Sequence, residues 1–345
     1  MKKRYKIMIA IILLVFLVYW QGPRPVFEKV SSNIETLDIS IDKIDSTIAT
    51  FESQFPNIKP ENESRIIWAD SVRKTPYAMV YLHGFSAGVM ESDPVHQTLA
   101  KKYGCNLYLA RLSHHGLSGS DAFEGLTPAA LMHSAAEAIA VGHVIGEKVI
   151  LISCSTGGTL SIYLTANNPD LIAAQIMYSP NTAIDDPTAI LLNKPWGREL
   201  THLVLGDYRI GDSTKVGTPI QRYWTLTYRS EALVALQELL DQTMIDQIFE
   251  KIESPYFIGY YYKNDEESDH VISVPGIIDF DSKTNTPASL KRVVAFPDVG
   301  NHVMASDLQS NDIESVIHET SLFIEEVLGI VPVQYDTLNL NQEIL

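Results

Sequence analysis

Cysteine is nearly absent. Cys105 and Cys154 are the only two in 345 residues, so no disulfide framework carries the fold, and a crosslink at Cys154 would disturb the tight turn it belongs to. Positive charge is scarce as well. The formal net charge is −16, from 42 Asp and Glu against 26 Lys and Arg, and four of those cations (Lys2, Lys3, Arg4 and Lys6) crowd the extreme N-terminus. A polyanion needs a basic face, which argues against a nucleic-acid partner. No spacing of Cys, His and carboxylates suggests a metal site, and no glycine-rich phosphate loop occurs, because Gly157-Gly158 belongs to a different turn. The adjacent pair His114-His115 points its side chains apart, against joint chelation of one metal. The reading therefore calls for no cofactor and no metal. Internal repeats and low-complexity tracts are also missing.

What is present is a globular composition, 46% apolar and 20% charged, suited to one large domain carrying an insertion. Behind the basic cluster, Ile7 to Trp20 form an uninterrupted apolar run in the order of an export signal. That run is short for a membrane span, which needs about 20 residues. No small-residue cleavage site follows it. An uncleaved signal anchor, a cleaved signal peptide and a buried core helix are the three readings. In the first two, the positive-inside rule places everything after Trp20 across the membrane, in a periplasmic or cell-surface setting.

Residues 21–62 are polar, with a loose helical spacing through Ile34, Leu37, Ile41, Ile44 and Ile48 closed by Pro56 and Pro60, which reads as a stalk or a packing helix. From residue 64 short apolar strands alternate with helical stretches, the pattern of a parallel sheet covered on both faces. Strands are expected at Arg65–Trp68, Tyr77–Leu82, Asn106–Ala110, Lys148–Ile152, Ala173–Tyr178, Tyr256–Tyr262 and Arg292–Phe296. Helices are expected at Asp93–Tyr103, Pro128–Ile145, Thr156–Asn167 and Asp312–Leu328. Between Pro180 and Lys251 the chain is longer than one crossover helix needs and is rich in Trp and Tyr, which predicts an insertion over the C-terminal edge of the sheet.

The sharpest motif is Val149-Ile150-Leu151-Ile152-Ser153-Cys154-Ser155-Thr156-Gly157-Gly158, a buried strand, a small-x-Ser-x-small turn and a helix. Such a turn lifts its central hydroxyl above the sheet and bends too sharply for large side chains two residues either side. Ser153 replaces the usual first glycine. A bland reading, Ser155 as a mere cap for the helix, competes with a nucleophile. Cys154 is disfavoured as nucleophile, because centring the turn on it would put Ile152 and Thr156 at the tight positions. A second motif, His83-Gly84-Phe85, ends an apolar strand. Acyl transfer needs two donors on the tetrahedral oxyanion, and the amides of Phe85 and Thr156 are the candidates. For His83 itself, a structural role in the turn outweighs proton transfer.

These residues resemble the α/β-hydrolases, in particular the branch of monoglyceride lipases and serine aminopeptidases. Arg111-Leu112-Ser113-His114-His115-Gly116-Leu117-Ser118-Gly119 is similar to that branch's Gly-His-Gly-x-Ser segment, departing at Ser113-His114. Phe296-Pro297-Asp298-Val299-Gly300-Asn301-His302 is similar to its histidine loop. The resemblance covers residues 64–328 and implies a triad in the order Ser, acid, His. Its nucleophile would be Ser155 and its base His302. The acid lies in the loop after the strand ending at Tyr262: Asp269, whose Asp-x-Val-Ile-Ser context matches the family's, with Asp265, closer to the strand, as the alternative.

The resemblance implies an α/β-hydrolase core at 63–180 and 251–330 with a helical lid insertion at 181–250. Ahead of it lie the N-terminal segment at 1–22 and the stalk or packing helix at 23–62; a C-terminal tail at 331–345 follows. It implies a serine hydrolase acting on a small acyl ester, monoacylglycerol-like lipids included, without a cofactor; the basic and apolar N-terminal segment adds the expectation of attachment to a membrane. Two other readings stand beside it. One is an exopeptidase or amidase using the same triad, with Glu199 or Asp207 holding a substrate amine. The other is a non-catalytic, membrane-anchored binding protein.

Overall fold

A computed structural model describes residues 2–119 and 121–334. The tail at 331–345 falls largely outside the described residues. Helix α1 (Lys2–Trp20) opens the chain; from Tyr5 to Trp20 its large apolar side chains are all exposed. No helix among the described residues is long and apolar enough to cross a membrane.

The stretch read as a stalk or helix is mostly neither. Residues 23–40 have no regular structure, and the helix α2 is confined to Ile44–Glu52. Ser32, Ile34, Leu37 and Ile39 are partly buried between exposed neighbours, an inward turn of every second or third residue that belongs to extended chain. This strap is tied down by Val30 N–H on Gln242 Oε1 at 2.9 Å and by Asn168 Nδ2 on the Ser32 carbonyl at 2.8 Å.

Seven strands then build one sheet: β1 (Arg65–Ile67), β2 (Thr75–Leu82), β3 (Asn106–Ala110), β4 (Gly146–Cys154), β5 (Ala174–Tyr178) and, beyond the small hairpin β6 (Tyr208–Ile210) and β7 (Thr227–Arg229), β8 (Tyr256–Tyr261) and β9 (Lys291–Phe296). Their order is β1-β3-β2-β4-β5-β8-β9; β1 is antiparallel and the rest are parallel. The central strands are buried on both faces, which explains their continuous apolar runs. Along β2 and β4 the side chains alternate: Ala78, Val80, Val149 and Leu151 enter one core, Met79, Tyr81, Ile150 and Ile152 the other. Each fully buried aliphatic side chain contributes about 1.5–3 kcal/mol.

The main covering helices are α3 (Val95–Lys102), α4 (Pro128–Ile145) and α5 (Thr156–Asn167), followed later by α10 (Val274–Lys283) and α11 (Ile313–Leu322). The bounds of α4 and α5 are those expected, α4 because Thr127 caps it and Pro128 starts it. The last expected helix stops early. At Phe323–Val327 the chain widens into a π-type turn. Between β5 and β8 the segment is less purely helical than expected. It holds α6 (Gly197–Leu205), α7 (Pro219–Tyr223), α8 (Ala232–Thr243) and α9 (Asp246–Phe249), with the antiparallel hairpin β6–β7 among them.

Candidate active site

At the end of β4 the backbone must reverse into α5 within one residue. Ser155 does so at φ 52°, a strained value for a residue with a side chain. The bend brings Gly157 so close to β2 that a Cβ would sit on the Leu82 carbonyl oxygen, and a Cβ on Gly158 would meet Pro180. Ser155 does not cap α5, since its hydroxyl makes no cap bond. The strained hydroxyl stands instead at the C-terminal edge of the sheet, with the helix's positive end behind it.

His302 and Asp269 meet there. His302 Nδ1 lies 2.6 Å from Asp269 Oδ2, and the other carboxylate oxygen accepts the amides of Val271 and Ile272 at 2.9 and 3.2 Å. Asp269 is 2% exposed. Burial alone would raise its pKa, but the His302 charge and bond, with the two amides, hold it below the ordinary carboxylate value. For His302, burial works downward and is outweighed by Asp269, then Glu91, so its pKa is raised. An acidic partner on Nδ1 fixes the proton there and leaves Nε2 free to take another.

Asp265 takes no part. The loop after β8 closes on itself through a Tyr262–Ser268 bridge and Lys263 N–H on the Glu267 carbonyl. Asp265 is left in solvent, where among the described residues it accepts only the Tyr262 hydroxyl, at 2.9 Å.

The Ser155 and His302 loops are both tied to the end of β5. Ser155 N–H donates to the Tyr178 carbonyl at 3.0 Å, and Ser179 Oγ donates to the His302 carbonyl at 3.0 Å. Among the described residues the Ser155 hydroxyl has no hydrogen-bond partner; in such sites that bond often closes only around substrate. The amides of Phe85 and Thr156 likewise find no acceptor among the described residues.

His83 is structural. Leu112 N–H donates to its Nε2 at 3.1 Å, so the proton sits on Nδ1, which donates to the Gly84 carbonyl at 2.9 Å. Burial pushes its pKa down to about 4. His115 packs against the rings of His83, Phe85 and Phe123. Glu199 and Asp207 lie outside: Glu199 is exposed, and Asp207 is 3.2 Å from His202 with its side chain in water.

The segment between β5 and β8 reaches both sides of the site. Trp224 packs with Ala87, beyond the His83-Gly84-Phe85 turn, and with Val303, next to His302. Thr225 N–H donates to the Ser86 carbonyl at 2.7 Å. A separate apolar cleft of about 460 Å³ lies under the strap, against Ile48, Phe51 and Val141; none of the residues discussed as nucleophile, base or acid lines it.

One buried residue of the site has no signal in the sequence. Glu91 is 2% exposed, and its carboxyl accepts the Gly84 amide. Nothing in Met90-Glu91-Ser92 distinguishes it from a surface acid.

No family model matches this sequence, and no curated protein matches it. Solved structures do resemble it. One comes from work on LipS and LipT, two metagenome-derived lipolytic enzymes; it has a TM-score of 0.60 at 14% identity and covers 78% of this chain and 99% of its own. A monoacylglycerol lipase of Paleococcus ferrophilus gives 0.53 at 14% identity, over 77% and 98%. A non-heme bromoperoxidase, BpoC, of Mycobacterium tuberculosis gives 0.52 at 14% identity, over 79% and 98%. With its strand order, its strained strand-to-helix serine and its likeness to these structures, the chain has the α/β-hydrolase fold.

Proposed function

We propose that the chain is a serine hydrolase that cleaves carboxylic esters through an acyl-enzyme on Ser155. The observation that carries the reading is the 2.6 Å bond from His302 to the buried Asp269, with the His302 loop held to the same strand end as Ser155. A fold hosts many reactions, so the site and not the likeness carries the argument.

In this reading the Ser155 oxygen attacks the ester carbonyl while His302 Nε2 takes its proton. The carbonyl oxygen becomes an oxyanion held by the amides of Phe85 and Thr156. The intermediate then expels the alcohol, which takes the proton from His302. Water, deprotonated by the same imidazole, attacks the acyl-serine, and the carboxylic acid leaves. Asp269 stays ionised and stabilises the imidazolium. The aromatic wall at Trp224 supports an apolar acyl or alcohol portion, a monoacylglycerol-like lipid among them, and residues 181–250 act as its lid.

Membrane attachment through α1 belongs to the same proposal. A helix apolar on every face finds no single groove on a soluble partner, whereas lipid satisfies all of its faces. The cations Lys2, Lys3, Arg4 and Lys6 ahead of the apolar run support, by the positive-inside rule, a catalytic domain outside the cytoplasm.

The test is hydrolysis of p-nitrophenyl butyrate and labelling by a fluorophosphonate probe. Wild-type protein reacts and Ser155→Ala does neither. Labelling that persists in Ser155→Ala removes Ser155 from the role. No labelling of wild type, with a specific protein partner recovered, returns the binding-protein reading. Faster cleavage of aminoacyl anilides than of acyl esters moves the assignment to an exopeptidase.

A further inference from the structure

Glu91 is a buried carboxyl at the site for which the proposed reaction has no step. Its Oε2 accepts Gly84 N–H at 2.6 Å and the Tyr81 hydroxyl at 3.0 Å, and Ser92 Oγ donates to that hydroxyl at 2.9 Å. A Cβ on Gly84 would lie 2.8 Å from Glu91 Oε1 and 3.0 Å from Ser155 Cβ, so carboxyl and nucleophile flank one face of that glycine.

Gly84 is the most pliant residue in the turn that must aim the Phe85 amide. Two peptide planes meet at it. Glu91 holds the first, through Gly84 N–H. The second carries Gly84 C=O and Phe85 N–H, which point opposite ways in a trans peptide. Its carbonyl is taken by His83 Nδ1 at 2.9 Å and by Ala87 N–H at 3.3 Å, which turns Phe85 N–H away from them. With both planes held, the dihedrals of Gly84 are set and Phe85 N–H keeps one direction. A Gly84 amide left buried without an acceptor would instead favour rotation of the turn.

Resting on the hydrolase reading above, we infer that Glu91 is a positioning residue for the transition state, a clamp on Gly84 that keeps the Phe85 amide aimed at the oxyanion. Among the described residues it makes no hydrogen bond to Ser155, His302 or Asp269. Its effect belongs to kcat and not to KM, because the oxyanion is absent from the bound ester and develops only in the transition state and the tetrahedral intermediate it leads to.

The experiment compares wild type, Glu91→Gln and Glu91→Met on p-nitrophenyl butyrate, with an alkyl boronic acid as tetrahedral mimic. Gln keeps an oxygen for Gly84 N–H; Met keeps the volume and loses the acceptor. Met lowers kcat about 100-fold, the effect of losing one oxyanion donor, leaves KM within about 2-fold, and weakens boronate binding in parallel with kcat/KM. Gln restores kcat to within about 5-fold of wild type. If Glu91→Met does not fold, Glu91→Asp, one methylene short of Gly84, takes its place with the same expectation. An unchanged kcat in Glu91→Met, or in Glu91→Asp where it stands in, or a loss carried by KM and equal in Gln and in that variant, overturns the inference. Wild-type protein that neither hydrolyses the ester nor labels on Ser155 refutes the hydrolase reading instead.

Discussion

The hydroxyl of Ser179 donates to the backbone carbonyl of His302 at 3.0 Å, so the residue after β5 holds the loop that presents the imidazole. Ser179→Ala removes that tie and leaves the fold. We expect kcat/KM to fall roughly 3- to 10-fold, and stability by about 1 kcal/mol, the net worth of one hydrogen bond. Steady-state kinetics and urea unfolding read the two effects.

Asp269 and Asp265 lie on one loop, but only Asp269 meets His302. Asp269→Asn leaves the ring without its ionised partner and lowers kcat by about 10³- to 10⁴-fold, whereas Asp265→Asn stays within about 2-fold of wild type. Equal losses in the two variants would refute the assignment of the acid.

In the proposed mechanism His302 must be unprotonated to act as the base. Because its pKa is raised, kcat/KM falls as pH drops through a midpoint above the ordinary histidine value, and Asp269→Asn moves that midpoint down. Stability follows the opposite sense. The raised pKa means protonated His302 stabilises the native state fully below its unfolded pKa, and that part is lost as pH rises through the folded value. Asp269, whose pKa is lowered, stabilises above its unfolded pKa and is lost as pH falls through its folded one. Replacing His302 by Gln should therefore cost more stability near about pH 5.5 than near about pH 9, measured by urea titration.

A Cβ on Gly157 would meet the Leu82 carbonyl. Gly157→Ala must push α5 from β2 and is expected to destabilise by about 3 kcal/mol, at the upper end of overpacking, with loss of activity. Gly206→Ala, where nothing lies near the added carbon but φ 73° and ψ −164° fall in a region nearly confined to glycine, costs about 1–3 kcal/mol. Thermal unfolding of the two variants gives the comparison.

Residues 2–22 include the apolar helix and little of the domain, although Trp196 Nε1 reaches the Val18 carbonyl at 3.2 Å. Deleting them should release the protein from a carbonate-washed membrane fraction while ester hydrolysis stays within about 3-fold. Retention on the membrane after deletion would end the attachment proposal.

The alternation of strands and helices, and the bounds of α4 and α5, were legible because they follow from local periodicity and end signals. A buried β-run between Gly146 and Cys154 reads the same in any context, and so does the small-x-Ser-x-small turn after it. The strap at 23–40 was not legible. Spacings of two and three residues, from Ser32 to Ile39, suit extended chain or a loose helix until the surface beneath is known, and the face of α4 at Ala138, Ala140 and Val141, which Leu37 and Ile39 line, decided for extended.

By itself, then, the chain's order of residues determined a parallel sheet, a serine at its edge and a histidine near the far end, since these depend on neighbours close along the chain. The sequence context favoured Asp269 over Asp265, but only the tertiary structure brought it to His302, by folding their shared loop back through the Tyr262–Ser268 bridge. It alone turned Glu91 from an unremarked acid into a buried clamp. Burial and hydrogen bonding across long sequence separations depend on which surfaces meet, and no local pattern encodes that.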